Sequence, residues 1–92
     1  MQVHLYATFR LLAGEKTLDI QLPDGATVEQ VVQAVVERCP VLRTHWFDDA
    51  GEIYAHVHIF VDGEDVQNLP LGIHTSLAQQ AVLDFFPPVA GG

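Results

Sequence analysis

Thr27-Val28-Glu29-Gln30-Val31-Val32-Gln33-Ala34-Val35-Val36-Glu37-Arg38-Cys39-Pro40 holds the strongest periodicity in the chain. Val28, Val31, Val32, Val35, Val36 and Cys39 recur at helical spacing and draw one apolar face. Five valines are poor helix formers, because branching at Cβ restricts χ1. Spacing outweighs propensity here, because Thr27 and Gln30 stand in capping-box position at the start. Pro40 has no N–H and disfavours helical geometry in the residue before it, so the helix stops there. An amphipathic helix with one valine face needs a flat apolar surface to lie on.

Both flanks supply that surface. Upstream, Val3, Leu5, Ala7 and Phe9 alternate with His4, Tyr6 and Thr8, the period of a half-buried strand. Leu18, Ile20 and Leu22 repeat the pattern within 17–22, and Arg10 to Glu15 with Gly14 reads as the turn of a hairpin. Pro23-Asp24-Gly25 ends the second strand. Downstream, Trp46 and Phe47 pin a short helical turn before the loop Asp48-Asp49-Ala50-Gly51. Val57, Ile59 and Val61 alternate with His56, His58 and Phe60 in a strand that runs into Asp62-Gly63. Residues 66–77 contain Pro70 and Gly72 and read as loop with a short strand. In a last strand Leu83 and Phe85 face inward and Asp84 and Phe86 outward, and Pro87-Pro88 cannot extend its ladder. The expected fold is α+β, a mixed sheet of four to five strands packed on one main helix. A hairpin first, then the helix, then further strands is the β-grasp (ubiquitin-like) order. Residues 1–86 form that domain and residues 87–92 a flexible tail.

Composition narrows the function. Ninety-two residues suffice for one small core, and 49% of them are apolar. Four basic residues against twelve acidic ones give a net charge of −8. That excludes the basic footprint of a nucleic-acid binder and disfavours anionic membranes. It suits a protein partner with a basic face. The single cysteine, Cys39, rules out an intrachain disulfide and, on the apolar helix face, reads as a buried thiol. No apolar run reaches the length of a membrane span, and the first residues lack the pattern of a signal peptide, so a cytoplasmic location is expected.

The candidate metal residues fall short. His4, His56 and His58 lie outward on expected strands, with the last two on one face, but zinc normally needs three or four protein ligands. The last strand of a β-grasp sheet would separate His4 from that pair. Asp48, Asp49 and Glu52 lack the spacing of an EF-hand loop and read as a solvated turn. The expectation is no metal.

The tail carries the chemistry. After Pro88 come Val89, Ala90, Gly91 and Gly92, residues that shrink toward the end. The six positions beyond Phe86 reach roughly 20 Å when extended. Such a tail threads a narrow channel and presents the Gly92 carboxylate to another protein's active site. A carboxylate is a poor acyl donor until adenylation with ATP gives it a leaving group, after which sulfur or an amine takes the acyl group. Phe60 and Phe86, both expected on the open face of the sheet, are candidates for partner docking, because exposed apolar clusters often mark interfaces.

Phe85-Phe86-Pro87-Pro88-Val89-Ala90-Gly91-Gly92 resembles the C-terminal signature of the MoaD/ThiS sulfur-carrier family. Tyr6-Ala7-Thr8-Phe9-Arg10 is similar to its first strand, and Leu22-Pro23-Asp24-Gly25-Ala26-Thr27-Val28 to the start of its helix. Val61-Asp62-Gly63-Glu64-Asp65-Val66 and Gly72-Ile73-His74-Thr75-Ser76-Leu77 are similar to longer members, which include carriers for cysteine synthesis and archaeal ubiquitin-like modifiers. Asp62 stands where an Asn is common, and Gln79-Gln80-Ala81 replaces a frequent Gly-Asp. The resemblance implies adenylation of Gly92 by an E1-like enzyme, with ATP consumed by that partner and no cofactor held permanently by the carrier. It implies sulfur delivery by a sulfurtransferase or cysteine desulfurase, giving a Gly92 thiocarboxylate. In the molybdopterin synthase form of the family, Pro88, Val89, Ala90 and Gly91 would insert into the large subunit. That subunit holds the catalytic groups, and the open sheet face is the interface. The alternatives are a ubiquitin-like modifier conjugated to target lysines, since the acyl-adenylate is common to both, a sulfur donor for cysteine, thiamine or tRNA thiolation pathways, and a β-grasp interaction module with an idle tail.

Overall fold

The computed structural model describes residues 1–88. Strand β1 (Gln2–Leu5) is followed by α1 (Ala7–Ala13), β2 (Thr17–Asp19) and the long helix α2 (Val28–Arg38). A 3-10 turn (Pro40–Leu42) leads into the short α3 (Arg43–Trp46), and β3 (His58–Val61) and β4 (Glu64–Asp65) form a hairpin. Two further 3-10 turns, Val66–Asn68 and Gly72–His74, precede β5 (Val82–Phe86). The five strands make one mixed sheet in the order β2-β1-β5-β3-β4. The first and last strands pair in parallel at its centre, with Val3 opposite Leu83 and Leu5 opposite Phe85.

The expected helix holds in detail. Thr27 Oγ1 accepts from the Gln30 N–H at 3.3 Å, and Gln30 Oε1 accepts from the Thr27 N–H at 2.8 Å. The five valines are buried, in one core with Val3, Leu5, Leu18, Ile59, Leu83 and Phe85. Trp46 is buried as well. Its ring stacks on Phe85 with centroids 4.6 Å apart and meets Phe9 edge-on at 5.5 Å. Among the described residues its indole N–H is a buried donor without an acceptor, a local cost to stability.

Four expectations from the sequence are corrected. The second strand, expected to run to Leu22, ends at Asp19, and residues 66–77 hold two 3-10 turns and an isolated bridge from Ser76 to Thr27 in place of a short strand. The first strand does not run to Phe9, because Ala7 adopts a left-handed φ of 52° and the chain coils into α1 in place of a hairpin turn. Gly14 closes that helix at φ 76°, its N–H donating to the Arg10 carbonyl at 2.9 Å. Phe9 is buried all the same, now from a helix. The strand through the histidines begins at His58 rather than at His56, and His56 stacks on Tyr54 in the preceding turn.

Asp62 shows why an aspartate works at its position. It sits at φ 49° beside Gly63 at φ 87°, the paired positive φ values of a tight hairpin turn. Its carboxylate accepts from the Val82 N–H at 3.0 Å, and its own N–H donates to the Val82 carbonyl at 2.8 Å. The β3–β4 turn is thereby tied to the start of β5.

Thr27→Ala should lower stability by about 1 kcal/mol through loss of the cap. Phe85→Ala, which opens a cavity beside Trp46, should cost about 3–5 kcal/mol. Urea denaturation of both variants checks the ranking.

Candidate functional site

Strand alternation sorts the central sheet into two faces. Val3, Leu5, Leu83, Phe85 and Ile59 turn toward α2, so their neighbours His4, Asp84, Phe86, His58 and Phe60 share the other face. The register places His4 opposite Asp84, Asp84 opposite Phe60, and His58 opposite Phe86. Tyr6, one residue past β1, continues this face, with its N–H donating to the Phe85 carbonyl at 3.2 Å.

Three aromatic rings cluster there. Tyr6 stacks on Phe86 with centroids 4.2 Å apart and planes 10° from parallel. Phe60 meets Phe86 edge-on at 5.6 Å. Neither Phe60 nor Phe86 belongs to the buried core or to the half-buried residues packed against it. They line an open hollow of about 420 Å³ together with His58, Gly63, Asp84 and Pro87. The Tyr6 hydroxyl donates to Asp84 Oδ1 at 3.1 Å. Burial raises the Tyr6 phenol above its ordinary pKa, and the hydrogen bond and the negative charge of Asp84 push it further in the same direction. The phenol therefore stays a donor to Asp84 throughout the neutral range.

The two expected docking residues, Phe60 and Phe86, are thus brought together. Sequence reading missed Tyr6 as the third member. The signal was available, since Tyr6 alternates with the inward Leu5 and stands level with Phe86 once the two strands pair in parallel. Pro87 and Pro88 follow directly and leave the sheet beside this patch. Val89, Ala90, Gly91 and Gly92 lie outside the described residues.

The remaining candidates play local roles. β5 lies between the strands of His4 and His58, as expected, and His4 Nδ1 stands 3.5 Å from Thr17 Oγ1. Among the described residues, no three His, Cys, Asp or Glu side chains gather as a metal site. Asp48 Oδ1 accepts from the Ala50 and Glu52 N–H groups, both at 2.9 Å, so this carboxylate closes its own turn. Burial pushes the Cys39 thiol up, as does the Glu15 charge, while Arg38 opposes them. A buried thiol with a raised pKa is a weak nucleophile. No helix among the described residues is long and apolar enough to cross a membrane.

One helix laid across this mixed sheet, with an aromatic patch where the last strand ends, defines a ubiquitin-like β-grasp protein. Residues 3–92 match the ThiS family, and the chain belongs to it. It is 34% identical over 92 residues to small archaeal modifier protein 1 of Haloferax volcanii, covering 100% of both chains. The crystal structure of that modifier superposes with a TM-score of 0.87 at 33% identity, covering 99% of this chain and 97% of the other. A protein from Pyrococcus furiosus, named as molybdopterin converting factor, subunit 1, superposes with a TM-score of 0.72 at 27% identity, covering 96% and 95%. A chain of the Amycolatopsis orientalis BexX/CysO complex shares the fold, with a TM-score of 0.80 at 24% identity, covering 99% and 98%. Proteins of this fold have therefore been captured in assemblies with partners.

Asp84→Ala removes both the hydrogen bond and the negative charge, two of the three influences that hold the Tyr6 phenol up. Ultraviolet titration should find phenolate forming at lower pH in the variant than in the parent. An unchanged curve would mean that burial alone sets the value.

Proposed function

We propose that the protein is a ubiquitin-like sulfur carrier of the cytoplasm whose working group is the Gly92 carboxylate. The observation that carries this reading is the placement of the Tyr6–Phe60–Phe86 patch at the end of β5, directly before Pro87 and Pro88. A partner that grips these rings holds the root of the tail, and the extended tail then has a fixed starting point from which to reach an active site. Held this way, the reacting end has less freedom to lose on reaching that site, which is the benefit of orientation. In this reading an E1-like adenylating enzyme binds the patch and ATP. A Gly92 carboxylate oxygen attacks the α-phosphorus, pyrophosphate leaves, and an acyl-adenylate forms. A persulfide carried by a sulfurtransferase or cysteine desulfurase then displaces AMP to give an acyl disulfide, and a second thiol cleaves its S–S bond, leaving the Gly92 thiocarboxylate on the carrier and a disulfide on the donor. Pro88, Val89, Ala90 and Gly91 present it, and the small side chains let the backbone lie close to a channel wall. The likeness to the Pyrococcus furiosus protein supports molybdenum cofactor biosynthesis as the destination, with a large molybdopterin-synthase-like subunit as sulfur acceptor.

A second reading is favoured by the end-to-end likeness to an archaeal modifier protein. Attack on the same adenylate by a target lysine amine would give an isopeptide bond, so one activated intermediate serves both outcomes. Mass spectrometry of protein purified from its own host separates them. A terminal oxygen replaced by sulfur marks the carrier, and branched peptides bearing Gly-Gly on lysine mark conjugation.

Deleting Gly92 should abolish adenylation, read as pyrophosphate exchange, and leave the melting temperature nearly unchanged. Persistent sulfur transfer in that variant would overturn the carrier reading. Phe60→Ala and Phe86→Ala should each weaken binding to the adenylating enzyme by about 1–3 kcal/mol, as anchor residues do. Both should destabilise the fold less than Phe85→Ala.

Lys16 is the single lysine of the chain. Any conjugation should therefore be predominantly mono-conjugation, and Lys16→Arg should leave the pattern of conjugates on a gel unchanged. A ladder that collapses in this variant would identify Lys16 as a chain-building acceptor.

A further inference from the structure

The four basic residues are not equally engaged. Arg38 donates to the Asp19 carbonyl at 3.0 Å and lies 3.8 Å from the Glu15 carboxylate. Arg43 lines a hollow that also holds Asp48 and Asp49. Arg10 and Lys16 have neither an ion pair nor a side-chain hydrogen bond among the described residues. Both line one open hollow of about 330 Å³, formed with His4, Leu5, Tyr6 and Thr17. Among the described residues, no acidic side chain lines it. Glu15, adjacent in sequence to Lys16, is the residue that meets Arg38.

On a chain of net charge −8, two unengaged cations converging on an acid-free hollow reverse the local sign of the surface. The hollow is also continuous with the aromatic patch through Tyr6, which lines it and stacks its ring on Phe86. On the far side of the patch the polarity is opposite. Asp65 pairs with Phe60 from β4, while Asp84, between the two sides on β5, stands opposite His4 and accepts from the Tyr6 hydroxyl.

We propose that the hollow of His4, Tyr6, Arg10, Lys16 and Thr17 is the cationic half of the docking surface, and that it receives a carboxylate-bearing segment of the adenylating partner. The proposal rests on the carrier reading above. A guanidinium and an ammonium that share one hollow match two carboxylates, the first through its planar fork and the second as a point charge. An acidic carrier repels acidic surfaces in general, so the partner's carboxylates must be local and flanked by neutral or basic surface. The aromatic rings supply contact area, while the sign change from the β2 side to the β4 side fixes which way round the partner sits. A rotated complex would set like charges against each other at both ends. Orientation matters because the tail starts from one edge of the patch.

The test uses the full-length carrier and the E1-like adenylating enzyme of the same host, titrated calorimetrically at several salt concentrations. The double variant Arg10→Gln/Lys16→Gln should bind about tenfold more weakly at low ionic strength, with the gap closing as salt rises toward roughly 1 M, where screening is nearly complete. Arg10→Glu/Lys16→Glu should bind more weakly still. Neither side chain makes an intramolecular hydrogen bond among the described residues, so thermal melts of both variants should match the parent. Parental binding that the variants leave unchanged, or a loss equal at low and high salt, would overturn the proposal. Failure of the parent itself to bind would overturn the carrier reading and this proposal with it. Inorganic phosphate producing chemical-shift changes confined to His4, Arg10 and Lys16 would assign the hollow to a small anion and also refute it.

Discussion

The parallel pairing of β1 with β5 is the constraint on which the rest of the molecule depends. It joins residues from opposite ends of the chain, Gln2 with Val82 and Leu5 with Phe85. One register sets both faces at once, because alternate residues of a strand point to opposite sides. Val3, Leu5, Leu83 and Phe85 go to the core under the valine helix, and His4, Tyr6, Asp84 and Phe86 go to the outer face. A slip of one residue would bury Asp84 and expose Phe85. Core and aromatic patch are two sides of a single pairing, so whatever keeps one also keeps the other.

Much of this was legible because the periods are clean. The valine helix, its cap and its proline stop reflect local rules acting without competition from tertiary contacts. The region around Ala7 was not legible, for a physical reason. Its apolar residues fit both a strand, through Leu5, Ala7 and Phe9, and a single helical turn, through Phe9, Leu12 and Ala13. The deciding features are the left-handed turn at Ala7 and the edge contact of Phe9 with the buried Trp46. Both are tertiary. His56 fails similarly, since its alternation with Val57 and His58 continues the strand pattern while its ring is taken up by Tyr54.

The site was legible in part. Phe60 and Phe86 stood out as large apolar residues on outward positions, and pairing β3 against β5 makes them neighbours. Tyr6 escaped because its role depends on a partner far away in sequence. Its hydroxyl, bonded to Asp84, made it look like an ordinary polar surface residue until the strands were laid side by side. The same distance hid the cationic hollow, whose members come from β1, α1 and the approach to β2. A sequence shows charges along a line, and here the sign reversal exists only in three dimensions.

The composite origin of the patch also makes it a gauge of completeness. Tyr6 and Phe86 stack only when the first and last strands have found each other, a contact of long sequence separation that is costly to close and forms slowly. A truncated, misregistered or partly unfolded chain carries the same residues but does not present them as one surface. A reader that grips this surface therefore inspects the whole fold before it touches the tail. In the proposed carrier, damaged copies would fail at the docking step, before any nucleotide is consumed.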